Sequence, residues 1–238
     1  MKILTILKSI FFWIVLSIII IVLTISFAAL VGAIQAKIFV PDEFLIWLFK
    51  YPFSIIIFIY EFYIIFWFMY LFNRNFKEFV VPDLKSYIKN NKRIFVTIFI
   101  TLNIVLPYTV LFDVAVITED KIINYTFLSP GGEQYPFNDI EKIETGISGR
   151  KINFPFSHYS KGDFYYILQL KDGTEIHLTD VGGTKNNEDE RFIIEKLDRQ
   201  FVNMGIYKIS SMENFEYCTE GLDKIYTDKI RNILLNTK

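Results

Sequence analysis

The sequence predicts a helical membrane part followed by a soluble α+β domain, an antiparallel β-rich partial barrel or sandwich capped by one helix. Three observations carry this. Long apolar runs fill residues 10–34, 52–72 and 94–111 of the 238-residue chain, each with at most one formal charge. A helix needs roughly 20 apolar residues to cross the hydrocarbon core. From about residue 114 the apolar pattern shortens and alternates with period two, and near residue 188 it changes to helical spacing.

Charge follows the same division. Up to Val116 there are 10 Lys/Arg and 6 Asp/Glu, and from Ile117 on there are 15 and 20. An acidic soluble domain argues against nucleic acid as a partner, because phosphate binding is driven by Lys and Arg. A single cysteine, Cys218, excludes an internal disulfide framework and a CxxC metal site. Two histidines, His158 and His177, are too few for a His-rich metal centre unless carboxylates complete it. No cofactor is expected, and the sequence is silent on oligomeric state.

Three spans are expected, near residues 10–34, 52–72 and 93–113. The first begins after Lys2 and Lys8 and resembles a signal peptide, with Val31-Gly32-Ala33 as a small-residue site. Its length exceeds the ~7–15 residues of a signal core, so it is read as a permanent anchor. Lys and Arg in short loops set orientation. The second loop holds Arg74, Lys77, Lys85, Lys89, Lys92 and Arg93, whereas the first holds only Lys37 and Lys50. The N-terminus and second loop are therefore expected in the cytoplasm, with the C-terminal domain outside a multi-pass cell-membrane protein.

Glu61 falls inside the second expected span. A carboxylate there costs a few kcal/mol and is by default a functional-site hypothesis. Thr101 and Asn103 on the third span are candidate partners, with Thr97. The plainer reading is a protonated Glu61 bonded across the bundle as structural glue. In the second loop Phe76, Phe79, Val80, Leu84, Tyr87 and Ile88 recur among lysines, as an interfacial segment would, although Pro82 interrupts them.

The soluble half reads as short strands at 114–118, 121–128, 134–137, 140–147, 164–170 and 174–179. Asp172-Gly173 joins the last two and is a strong hairpin signal. A helix over 188–204 follows, capped by Asn187 and closed by Gly205, docking through Ile193, Leu197 and Phe201. The domain is expected to span 114–206. A separate helical tail occupies 207–238, with Cys218 buried on it.

Ile117-Thr118-Glu119-Asp120-Lys121-Ile122, then Tyr135-Pro136-Phe137-Asn138-Asp139-Ile140-Glu141-Lys142-Ile143, then the Asp172-Gly173 strand pair and a helix ending Met204-Gly205-Ile206 form one arrangement. It resembles the bacterial pleckstrin-homology-like (PH-like) domains of small multi-span membrane proteins, over less than half of the chain. The resemblance implies a non-enzymatic binding or assembly module, with bacteriocin immunity or envelope stress as contexts. Members often carry the domain in the cytoplasm, whereas the charge count here directs it outward.

Other constellations are weaker. Val181-Gly182-Gly183-Thr184-Lys185 lacks the spacing of a phosphate loop and reads as a flexible strand-to-helix connection. Arg150, Lys151 and Lys161 could contact an anionic lipid headgroup in a PH-like fold, or form a solvated rim. The sequon Asn124-Tyr125-Thr126 lies inside an expected strand. His158 and His177 sit in β-rich context, His177 on the solvent side between Ile176 and Leu178, and no Ser/His/Asp set is legible. The expected function is non-enzymatic binding of a protein or lipid partner at the cell envelope. The alternative is a small transporter or channel subunit using Glu61.

Overall fold

In the computed structural model the described residues are 2–50, 91–149 and 158–237, with isolated positions between 59 and 76. They divide into two compact units, Met1–Ile34 with Pro52–Leu111, and Gln35–Tyr51 with Phe112–Lys238.

The described residues of the first unit are mainly helical. Helix α1 (Lys2–Phe39) continues from it into the second unit, and α2 (Lys92–Leu111) contains Pro107. Among the described residues two helices, Ile10–Phe39 and Lys92–Leu111, are long and apolar enough to cross a membrane. The expected span over 52–72 falls largely outside the described residues, as does most of the basic loop after it. Phe11, Ile14, Ile25, Ile98 and Ile104 are all exposed, an apolar surface of the kind that marks membrane or protein contact. Several polar side chains bond within their own helix. Ser17 donates to the Trp13 carbonyl, Thr24 to Ile20 and Thr109 to Leu106.

The second unit is an α+β sandwich. Its first sheet contains β1 (Ile46–Phe49), β2 (Val114–Ile117), β3 (Lys121–Tyr125), β4 (Glu133–Pro136) and β8 (Val181–Thr184), in the order β4-β3-β2-β1-β8. Its second contains β5 (Ile140–Ile147), β6 (Phe164–Leu170), β7 (Glu175–His177) and β9 (Tyr207–Ser210), in the order β7-β6-β5-β9. All pairings are antiparallel except β5 with β9. The expected hairpins at Glu119-Asp120 and Asp172-Gly173 form, and Gly173 supplies the positive φ its turn requires.

Alternation explains the layers. Ile46 and Leu48 of β1, Ala115 and Ile117 of β2 and Ile122 of β3 point into a core shared with Ile143, Tyr166, Leu168, Leu170, Ile176 and Leu178. Helix α3 (Glu190–Asn203) adds Ile193, Ile194, Leu197 and Phe201 to that core. The opposite face of the first sheet presents Trp47, Val114, Val116 and Ile123, and Phe39 at the end of α1 covers them. That end of α1 meets Tyr125 at 4.8 Å and Phe112 at 5.2 Å between ring centroids.

Four details differ from the sequence expectation. Strand β1 comes from the supposed loop between the first two apolar runs, and it lies inside the sheet between β2 and β8. Val181–Thr184 is a strand rather than a flexible connection. Its glycines are needed because a Cβ on Gly182 would overlap the Trp47 ring, and one on Gly183 would lie 2.6 Å from Trp47 Nε1. The cap of α3 is Asp189, whose carboxylate accepts from Arg191 N at 3.0 Å, while Asn187 adopts φ 54 in the preceding turn. The segment after Ile206 is built into the domain as β9, α4 (Phe215–Thr219) and α5 (Lys224–Leu235).

Two buried carboxylates fasten that segment. Asp198 accepts from Tyr166 Oη at 2.9 Å, Lys208 Nζ at 2.5 Å and Asn236 Nδ2 at 2.6 Å. Lys208 also donates to the carbonyls of Ile233 and Asn236. Glu195 accepts from Lys229, Asn232 and Arg199. Burial pushes its carboxyl up, but these donors and cations outweigh burial and hold it below the ordinary value.

Candidate functional site

Both histidines of the chain meet in the second unit. The turn before β6 brings His158 and Tyr159 over the outward side of β7, and the imidazoles of His158 and His177 stack at 4.3 Å, 19° apart. Tyr159 Oη lies 2.6 Å from His177 Nδ1 and 3.2 Å from Thr179 Oγ1. His158 Nε2 lies 2.8 Å from an Asp180 carboxylate oxygen. Alternation does turn His177 away from the core, as expected, but His158 and Tyr159 cover the face it turns to.

Burial, with the neighbouring His158, pushes the His177 pKa down, so the imidazole is neutral at pH 7. Burial raises that of Tyr159, which keeps its phenol protonated.

A cleft of about 330 Å³ opens beside the pair, within the size range of small-ligand pockets. His158, Tyr159, Asp163 and Asp180 line one side, and Glu190, Arg191, Cys218, Leu222 and Ile230 the other. Arg191 is held at 2.8 Å by Asp189 and at 3.4 Å by Glu190. Carboxylates of Asp163, Asp180 and Glu190 therefore face one guanidinium and one imidazole. The lining suits a polar group of mixed charge better than a simple anion. Burial also pushes the Cys218 thiol up, which keeps it from acting as a thiolate.

A smaller cavity of about 130 Å³ shares His158 and Asp180 with the cleft and adds Phe49, Lys50 and His177. It leads to one end of the first sheet. There Phe49 N donates to the Asp180 carbonyl at 2.8 Å, and Lys50 Nζ pairs with Asp113 at 2.9 Å and donates to the Tyr125 carbonyl. The end of α1, the exit of β1 towards Pro52 and the start of β2 after Leu111 all meet here.

Of the expected site residues, Lys161, Thr101 and Asn103 are among the described residues. Lys161 places its ammonium 3.5 Å from the Tyr217 ring centroid, a cation–π contact. Arg150 and Lys151 lie outside the described residues, and so does Glu61. Asn103 donates its amide to the Phe99 carbonyl of its own helix at 2.8 Å, and Thr101 is exposed on the same helix. Asn124 is buried, as its place in a strand requires. Among the described residues no group of three or more His, Cys, Asp or Glu could hold a metal ion. The His158–His177 pair had no signature in the sequence, since it arises only when the turn at residues 158–163 lies against β7.

No protein-family model, no curated protein and no solved structure matches the chain.

Proposed function

We propose that the chain is a non-enzymatic, multi-pass membrane protein whose two-sheet domain binds a partner at the membrane surface. The ligand group best suited to the cleft is one carrying both signs of charge, as a zwitterionic lipid headgroup does. One observation carries this reading: the cleft's shared wall, His158 and Asp180, adjoins the sheet end where α1, β1 and β2 connect to the apolar segments. A headgroup phosphate would meet Arg191 and His158, and an ammonium would meet Asp163, Asp180 and Glu190.

Strand pairing supports the multi-pass reading. β1 and β2 share one sheet, so they share one side of a membrane. If α2 crosses, the apolar stretch over 52–72 must cross as well, which with α1 makes three spans. The Lys/Arg bias then directs the domain outward. The PH-like resemblance supports a binding module, and it alone suggests bacteriocin immunity or envelope stress as the setting.

Titration of the full chain in detergent with dihexanoyl phosphatidylethanolamine, and separately with the phosphatidylglycerol analogue, tests the proposal. Saturable binding of the first, weaker binding of the second and loss of binding in Asp180→Asn are expected. Absence of saturable binding, or binding untouched by Asp180→Asn and Arg191→Gln, would sink the headgroup assignment. A photo-crosslinker at Lys161 that captures a defined polypeptide in cells instead of lipid would replace it with a protein partner.

A further inference from the structure

We infer that the β3–β4 turn, residues 126–132, inserts into the lipid interface as an accessory anchor, with Leu128 and Phe127 as the inserted side chains. This rests on the membrane reading above but concerns a different surface. The turn reads Thr126-Phe127-Leu128-Ser129-Pro130-Gly131-Gly132 and carries no charge. Leu128 is 83% exposed, more than any other described large apolar side chain, and Phe127 is 46% exposed. A single exposed leucine is ordinary on a protein surface. An uncharged turn that presents two adjacent apolar residues beside membrane-connected segments is not.

The register fixes its location. Tyr125, immediately before the turn, pairs with Val114, the first residue of β2, and its carbonyl accepts from Lys50. Lys50 stands two residues before Pro52, and Asp113 two residues after Leu111, so each tether to an apolar segment is at most about 7 Å long. The opposite end of the same strands is the Glu119-Asp120 turn, separated from Tyr125 by about 13 Å of β3.

The turn is also preorganised. Thr126 N donates to the Ser129 carbonyl and Ser129 N to that of Thr126, while Gly132 N donates to the Ser129 carbonyl. Ser129 N is also within 3.0 Å of Thr126 Oγ1. Gly132, at φ +78, packs against the Tyr125 ring, where a Cβ would lie 2.6 Å from a ring carbon. These bonds satisfy three of the turn's backbone amides internally, which lowers the cost of placing it at the lipid interface. Amphipathic elements of this kind settle roughly 5–10 Å into the headgroup and acyl boundary.

The test uses the full chain in a Cys218→Ala background, reconstituted in vesicles, with an environment-sensitive fluorophore on Leu128→Cys or Glu119→Cys. Lipids brominated near the top of the acyl chain should quench the probe at position 128 and leave that at position 119 bright. Equal emission with and without bromine at position 128, while the protein floats with the vesicles and resists alkaline carbonate, overturns the insertion of this turn and leaves the membrane reading standing. Quenching of both probes to the same degree also overturns it, since the turn would then not be distinguished from the far end. Failure to float, or extraction by carbonate without detergent, overturns the membrane reading and the anchor with it.

Discussion

Lys208→Met isolates the device that binds the last thirty or so residues to the sandwich. Lys208 and Asp198 are 3% and 1% exposed, and the ammonium serves the carboxylate together with the carbonyls of Ile233 and Asn236. Removing one partner of a buried pair costs about 3–5 kcal/mol, because the remaining charge is left uncompensated. Tyr166 and Asn236 remain as partners of the Asp198 carboxylate and offset part of that loss. The double variant Asp198→Asn with Lys208→Met removes the stranded charge and should recover more than half of the loss. Urea unfolding of the full chain in a mild detergent, followed by near-ultraviolet circular dichroism, measures both losses. A Lys208→Met loss below about 1 kcal/mol would refute the reasoning, because an exposed ion pair contributes no more than that. So would a double variant no more stable than Lys208→Met alone.

Three other outcomes are expected. Gly182→Ala should cost about 1–3 kcal/mol from overpacking against Trp47, and Trp47→Leu in the same chain should relieve part of it, as urea midpoints would show. The folded-state pKa of His177 lies below its unfolded value of 6.5. The unfolded chain thus binds more protons on acidification, and stability should fall as pH drops below about 6.5, by no more than about 1.4 kcal/mol per unit from this group; His177→Gln should flatten that part of the stability–pH curve. Truncation after Ile206 should leave the remaining chain protease-sensitive under conditions where the full chain resists, because it removes β9 and α5 and exposes the α3 face they cover.

The hairpins and the helix were legible because each has a local cause. Asp172-Gly173 fixes a turn, and the spacing of Ile193, Leu197 and Phe201 fixes a helix face. The boundaries of β5 and β6 follow their alternation to the residue. Strand β1 was not legible: Ile46-Trp47-Leu48-Phe49 is apolar without alternation, because both of its faces are covered, one by the shared core and one by the end of α1. The glycines of β8 gave a loop signal for a related reason. Their small size makes room for the Trp47 ring, and no local pattern carries that information. β9 is four residues long and pairs in parallel with β5, a long-range contact that a turn cannot announce. The histidine pair belongs to the same class of feature, an encounter of distant segments.

The position of β1 separates two things that loop charges alone conflate. On the membrane reading proposed above, Lys and Arg bias would decide which side the domain occupies, whereas strand pairing would decide which segments must share that side. Ile46, Trp47 and Leu48 are 0%, 5% and 1% exposed, and burying each such side chain contributes roughly 1.5–3 kcal/mol. Losing all three would remove an amount comparable to the whole stability of an ordinary domain, about 5–15 kcal/mol. An odd number of crossings between Tyr51 and Phe112 would do that, since β1 and β2 would lie on opposite sides and Val114–Ile117 would lose a neighbour on which it depends. The folding energy of the domain therefore opposes such an arrangement with a force of its own. Transferring basic residues from the second loop to the first should for that reason invert the protein as a whole, with the sheet still assembled, rather than strand one segment across the bilayer.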